Sequence, residues 1–373
     1  MKSVAVVTNI LPHYREGFYR ELLRDPTLKL TIFCQQSIPG LPLDTVHAKF
    51  PKQIRLVKYV GLTREACGWQ CLPWLELLRK FDVLFVLGNP RIFSNVVVSI
   101  LAKLCGTQVV IWGQAHTAGA SRFTESLRLL WWRMFDRIFT YTDREISMLE
   151  CRGFFGKKIV GMNNGLDQSL IEDQLIKWSP ERLDEWRRLM GLAGKKILLS
   201  CARLEPKNGF EKIPKMLALI RKDFPNLVWC VIGEGAEREH LDELVRANQL
   251  QGTVRFLGKI MDETALAPWF LSSEVLIHPT GVGLSLIHAY GYGLPAILGA
   301  DADRHMPEFA AFMDSHAGRV FNMEDTDDFS KTVVEALADQ DELFKMRERA
   351  RTVVREKYNT HVMAARFKSL CEA

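Results

Sequence analysis

Short uninterrupted apolar runs, each followed by a stretch of helical character, recur along the whole chain. This alternation restricts the fold more than any other feature. In the first half the runs fall at residues 4–8, 28–33, 83–87, 109–112 and 138–141; in the second they fall at 196–203, 228–232, 254–257, 275–278 and 295–298. Strands that are apolar on both faces must be covered on both sides, and strands separated by helices of about 10–15 residues run parallel. The expectation is an α/β protein built from doubly wound, Rossmann-like parallel sheets. At 373 residues the chain exceeds one ordinary core and suits two domains of about 150–200 residues each. A change of unit is expected near Met162-Asn163-Asn164-Gly165-Leu166-Asp167. It gives domains at residues 1–170 and 171–357 facing a central cleft, with 358–373 returning as a helix onto the first. The segment directly after residue 167 reads as polar, before the second βα series starts.

Composition narrows the function classes. Hydrophobic content of 47% and charged content of 25% are those of a soluble globular chain. A formal charge of +5 is compatible with anionic substrates or an anionic membrane surface and is too mild to argue for nucleic acid. No apolar run approaches the roughly 20 residues needed to cross a bilayer. The opening Met1-Lys2-Ser3-Val4 leads straight into a strand pattern without a signal-peptide cleavage region. The 8 cysteines are scattered, and Cys67 and Cys71 have no second pair to complete a zinc site. They read as reduced thiols of a cytoplasmic protein.

Residues 278–295 carry the clearest chemical signal: His-Pro-Thr-Gly-Val-Gly-Leu-Ser-Leu-Ile-His-Ala-Tyr-Gly-Tyr-Gly-Leu-Pro. A strand, a Gly-rich bend and a helix in that order aim backbone N–H groups and the positive end of a helix dipole at one point, which suits a phosphate. Gly281 and Gly283 are expected to let the main chain approach the anion closely. In the first half, the rule that ligands bind beyond the carboxyl ends of parallel strands points to Arg15, Asn89, Arg91 and His116. Two weaker patterns are set aside. Asp301-Ala302-Asp303 has a metal-binding D-x-D form but is too short to carry weight, and Gly233-x-Gly235 lacks the third glycine of a dinucleotide fingerprint.

The ordered set Asn164-Gly165-Leu166-Asp167, Arg203-Leu204 with Lys207-Asn208-Gly209-Phe210-Glu211, Ile232-Gly233-Glu234-Gly235, Phe256-Leu257-Gly258 and Pro279…Gly283-Leu284…Gly293-Leu294-Pro295 resembles the nucleotide-sugar-dependent glycosyltransferases of the GT-B fold, in particular the retaining family 4. The resemblance covers roughly residues 160–355 and is looser over 1–150. It implies a nucleoside-diphosphate sugar as donor substrate, no cofactor and no metal. The departing diphosphate would meet Arg203, Lys207 and the backbone of Gly283, Leu284 and Ser285; Gly233, Ile260, Thr280 and His288 would also line the donor, and His116 the donor sugar. Arg15 and Asn89 are the acceptor-side residues. Two departures stand out. Lys207 follows Arg203 by four residues where the family has five, with Asn208 at the expected place. Thr280 and His288 replace the family's two glutamates, a pattern that with Met306-Pro307-Glu308 looks like a bacterial cell-surface polysaccharide branch.

The implied activity is transfer of a sugar to a saccharide or lipid-linked saccharide acceptor. A same-fold sugar-nucleotide epimerase and a non-catalytic nucleotide-sugar-binding protein are the alternatives. Residues 126–137 and 68–75 mix Trp and Leu with arginine, the composition of an interfacial anchor and equally of core helices with snorkelling arginines. The expected location is cytoplasmic, with peripheral contact to the inner face of the cell membrane.

Overall fold

The computed structural model describes residues 1–38, 44–61, 67–115 and 122–372. The chain divides into two compact units, Met1–Asp167 with Thr360–Ala373, and Gln168–Asn359.

The first unit holds strands β1 (Lys2–Val7), β2 (Leu28–Cys34), β3 (Ile54–Leu56), β4 (Tyr59–Gly61), β5 (Gly68–Gln70), β6 (Val83–Leu87), β7 (Gln108–Trp112), β8 (Arg137–Thr140) and β9 (Lys158–Gly161). Seven of them form a parallel sheet in the order β3-β2-β1-β6-β7-β8-β9, and β4 and β5 pair as a separate antiparallel hairpin. Helices α1 (Glu16–Arg24), α2 (Trp74–Arg79), α3 (Phe93–Leu104), α4 (Arg122–Trp132) and α5 (Arg144–Cys151) cover it. Successive strand residues point to opposite faces. Val4, Val6, Ile32 and Phe85 therefore enter one core, while Ala5, Val7, Phe33 and Val86 enter the other. This is why the strands read as continuous apolar runs. Strands β3 to β5, three residues each, are too short to leave such a signature.

The second unit starts with α6 (Ser169–Lys177) and α7 (Pro180–Leu189), where only a polar segment was expected. Helix α7 has no fully buried residue, though Trp186 packs edge-on against Trp269, and it is defined at its start by Ser179, whose Oγ accepts the Arg182 N–H at 3.3 Å, and by Pro180 in the first turn. Strands β10 (Lys196–Cys201), β11 (Leu227–Ile232), β12 (Val254–Gly258), β13 (Val275–His278), β14 (Ala296–Gly299) and β15 (Gly318–Phe321) form a parallel sheet in the order β12-β11-β10-β13-β14-β15. Around it lie α8 (Ile213–Ile220), α9 (Arg238–Ala247), α10 (Glu263–Ser272), α11 (Leu284–Gly291), α12 (Phe309–Ser315), α13 (Thr326–Ala338) and α14 (Gln340–Glu356).

The last helix, α15 (Thr360–Cys371), belongs to the first unit. Its Phe367 stacks on Phe85 at 3.8 Å and meets Phe18 and Phe139 edge-on, so it fills the β1/β6/β8 face of that core.

In each unit the strand order reverses once: between β1 and β6 in the first, between β10 and β13 in the second. Carboxyl ends at such reversals form the crevice where open α/β sheets bind ligands.

Candidate active site

In the second unit the loops after β10 and β13 are locked together from below. The β11 turn supports the first of them. Leu204 donates its N–H to the Glu234 carbonyl (3.0 Å), and its own carbonyl accepts from Glu237 N–H (2.9 Å). Gly233 has φ 141°, and a Cβ there would overlap the Ala202 carbonyl; one on Gly235 would overlap the Leu204 carbonyl. Gly233, expected beside the donor, thus packs against the backbone before Arg203, and Gly235 against the backbone after it.

Arg203 itself projects outward, its side chain 52% exposed. Its Nη1 lies 3.0 Å from Glu205 Oε1, and Lys207 Nζ lies 3.0 Å from Glu205 Oε2. The hydrogen bond from the Lys207 ammonium outweighs the rise from burial and, with the charge of Arg203, holds the Glu205 carboxyl below its ordinary value. Asn208, the next residue, points the other way. It is buried, its Nδ2 donates to the Arg203 carbonyl at 2.6 Å, and its own carbonyl accepts the Thr280 N–H at 3.2 Å. Lys207 therefore stays beside Arg203 on the shared Glu205 carboxylate, and Asn208 is a strut.

Thr280 was expected to line the donor. The structure buries it and spends its hydroxyl on the Lys207 carbonyl at 2.7 Å, so it ties the β13 loop to the β10 loop. The reason expected for Gly281 also changes. It has φ 71°, and a Cβ there would come 2.5 Å from Asn208 Oδ1, so the strut demands glycine whether or not an anion approaches. Gly283 is different: φ is −130° and a Cβ would meet nothing closer than 3.5 Å.

Beyond this bend α11 begins. Among the described residues the main-chain N–H groups of Gly283, Leu284 and Ser285 donate to no acceptor. The bend is held from its other side by residues 304–306. Gly281 N–H donates to the Arg304 carbonyl (2.8 Å), Met306 N–H to the Val282 carbonyl (3.0 Å), and Val282 N–H to His305 Nδ1 (3.2 Å). His305 Nε2 donates to the Gly299 carbonyl at 2.9 Å, which fixes its neutral tautomer, and its ring stacks on Phe309. Burial holds its pKa below the ordinary value. His305 was not singled out from sequence; nothing near it signals that an imidazole will brace a loop twenty-three residues earlier.

His288, on α11, faces the same end of the sheet and is part of a cluster. Its Nε2 lies 2.9 Å from Glu263 Oε1 at the start of α10, and the Tyr292 hydroxyl donates to the same oxygen. Burial pushes the Glu263 carboxyl up, but the bonds from His288 and Tyr292 win and leave it below its ordinary value. With Nε2 donating to this carboxylate, Nδ1 is left as the acceptor. Glu263 thus sets a carboxylate behind the His288 ring. Ile260 lies half-buried in the loop between β12 and α10. Asp301 accepts from the Asp303 N–H (3.1 Å) as a local cap, and no group of three metal-ligating side chains occurs among the described residues.

His278, at the end of β13, is fully buried with no partner for Nδ1 among the described residues. Burial, then the charge of His305, pushes its pKa from 6.5 down to about 3. The unfolded chain takes up this proton near pH 6.5, whereas the folded unit does so only near 3. The stabilisation is therefore complete above pH 6.5 and is lost as pH falls through that window. Melting temperatures recorded across it should fall less steeply for His278→Gln than for the wild type; equal slopes would remove His278 from this account.

In the first unit a cavity of about 720 Å³ opens beyond β6, β7 and β8. Asn89, Arg91, Gln114, Arg128 and Tyr141 contribute its polar lining, Phe93 and Leu127 its apolar edge. Gly88 and Gly113 accommodate Trp132, whose ring would lie 2.5 and 2.8 Å from a Cβ at the two positions. Glu145, also not foreseen, accepts the N–H groups of Ala115, Tyr141 and Thr142 and so sets the β7 and β8 loops. Asn89 accepts the Arg91 N–H through Oδ1 at 3.1 Å. Arg15 follows β1 and is 7% exposed. Its guanidinium lies 5.8–5.9 Å from the rings of Tyr14, Trp112 and Tyr141, with no carboxylate within 4.0 Å among the described residues. His116 lies outside the described residues.

Residues 184–353 match the family described as "Glycosyl transferases group 1". The chain is 36% identical over 97 residues to a phosphatidyl-myo-inositol mannosyltransferase of Propionibacterium freudenreichii, covering 25% of this chain and 22% of that protein. It is 30% identical over 107 residues to the GtfA subunit of a UDP-N-acetylglucosamine–peptide N-acetylglucosaminyltransferase of Streptococcus agalactiae, covering 28% of this chain and 20% of that protein. The chain thus spans about a fifth of the length of these curated relatives. Anabaena HepE in complex with UDP superimposes with a TM-score of 0.72 at 13% identity, over 99% of both chains. The chain has the GT-B fold, and residues 184–353 of its second unit are similar to glycosyl transferases group 1.

Proposed function

We propose that the protein is a glycosyltransferase that moves a sugar from a nucleoside-diphosphate sugar to a saccharide or lipid-linked saccharide acceptor in cell-surface polysaccharide synthesis. The observation that carries this reading is the exposed Arg203 guanidinium on the loop after β10, across the strand-order reversal from the amides of Gly283, Leu284 and Ser285, which have no acceptor among the described residues. Such an arrangement matches a departing diphosphate, because donors already in place need no reorganisation as negative charge develops. In this reading Arg203, Lys207 and the amides receive that charge without a metal, and the sugar is transferred with retention. His288, backed by Glu263, offers Nδ1 to a ribose hydroxyl.

The relatives named for UDP-N-acetylglucosamine and phosphatidyl-myo-inositol, and the UDP complex of HepE, support a uridine nucleotide and a lipid-borne acceptor. The donor is assigned to the second unit, the acceptor to the first through Arg15, Asn89 and the cavity beside them, and the location to the inner membrane face.

A thermal-shift panel of UDP, GDP, dTDP and their sugars tests the donor site. A diphosphate at about a hundred times its Kd should raise stability by about 2.7 kcal/mol. UDP is expected to give the largest shift, and no shift with any member of the panel would end the proposal. The buried Thr280, with its hydroxyl already used, favours a second reading, a nucleotide-sugar-binding protein without turnover. Donor binding with neither transfer nor hydrolysis in the presence of membrane extract would decide for it.

A further inference from the structure

We propose that the face formed by α3 and α4 rests on an anionic lipid bilayer. This deepens the membrane attachment put forward above, but it stands on the first unit alone. Along α3 the outward positions are Phe93, Val97, Leu101 and Leu104, between 38% and 77% exposed. Along α4 and the turn after it they are Phe123, Leu127, Leu130 and Met134, between 44% and 72% exposed. Spacings of three and four residues put each set on one side of its helix.

The two helices are neighbours: Trp131 Nε1 donates to Ser99 Oγ at 3.1 Å, and Lys103 Nζ to the Met134 carbonyl. Their inward faces are already filled by Val98, Ala102, Leu129 and Trp132. The core therefore does not need the outward stripes. Single exposed apolar residues are ordinary, whereas two aligned rows on adjacent helices form a patch that water does not favour.

Charge selects the occupant. Helix α3 has no acidic residue, and the one carboxylate of α4, Glu125, is buried against Arg152. Arg91 and Arg133, at opposite ends of the patch, have no carboxylate within 4.0 Å among the described residues. Lys103 and Lys157 share Asp136, at 3.5 and 3.9 Å. An apolar centre with a basic rim complements anionic head groups over acyl chains. Phe93 and Leu127 border both this face and the 720 Å³ cavity. An acceptor anchored in the bilayer would thus keep its apolar part on the helices while its polar part reached Asn89 and Arg91.

The test is co-sedimentation of the full chain with vesicles of phosphatidylcholine alone, or with about one lipid in three replaced by phosphatidylglycerol. Binding to the anionic vesicles should be about tenfold stronger or more and should weaken as salt is raised. Leu101→Glu combined with Leu130→Glu, both at the surface and outside the cavity lining, should cut that binding about tenfold or more. The melting temperature and the nucleotide-induced shift should stay at wild-type values. Absence of wild-type binding, or equal binding by the double variant, would overturn the proposal. A homodimer that the double variant dissociates, without vesicle binding, would instead assign the face to a second copy and overturn it as well. Vesicle binding without any nucleotide shift would sink the transferase reading and leave the docking face standing.

Discussion

Gly233→Ala is expected to lower the melting temperature of the second unit by about 10 °C, from a loss of about 3–5 kcal/mol. Two costs combine. At φ 141° an L side chain is strained, and the added Cβ overlaps the Ala202 carbonyl oxygen. That oxygen cannot retreat cheaply. Ala202 N–H donates to the Ile232 carbonyl at 3.0 Å, and β10 pairs with β11 along its length, so the clash is met by paired backbone on both sides. Arg203 is the next residue, and its placement should be lost with the fold. Gly252→Ala is the control: a Cβ there meets nothing within 4 Å, and it should change stability by less than about 1 kcal/mol. Calorimetry on both decides the matter. Similar melting temperatures would refute the steric account of the β11 turn.

The second large effect concerns the charges themselves. Arg203→Ala should remove the nucleotide-diphosphate thermal shift and lower kcat/KM for transfer by about 10²–10³-fold, the range for losing one preorganised donor to developing negative charge. Glu205→Gln should act in the opposite direction, tightening diphosphate binding a few-fold. Glu205 now holds both Arg203 and Lys207 at 3.0 Å, and a diphosphate must take them from it. Half-exposed ion pairs are worth only about 0–1 kcal/mol, so releasing the two cations is cheap. A full thermal shift with UDP in Arg203→Ala would show that the guanidinium is not the anion's partner.

The parallel sheets were readable in the chain because both faces of each strand are buried, and this leaves an unbroken apolar run that polarity alone reveals. Helix α3, at Phe93–Leu104, is legible for the related reason that its apolar pattern is long and regular. The short strands β3 to β5 and the surface helices α6 and α7 were not readable. The first are below the length at which period-two alternation can be told from chance, and the second bury too little to show a stripe. Within the site, Arg203 and the α11 amides could be placed from strand–loop–helix order. Glu263 and His305 could not, since each acts on a partner that only folding brings near. Glu263 meets His288 twenty-five residues away, and Glu145 gathers loops from two strands.

What the chain's own pattern determined is the class of architecture and the strand ends at which chemistry can occur. Hydrophobic burial is a one-dimensional requirement that periodicity records. What only the tertiary structure decided is the orientation of each polar side chain: Thr280 and Asn208 inward as struts, Arg203 outward, Glu263 behind His288. A polar side chain takes the nearest partner that burial leaves it, and that partner exists only once distant segments have packed.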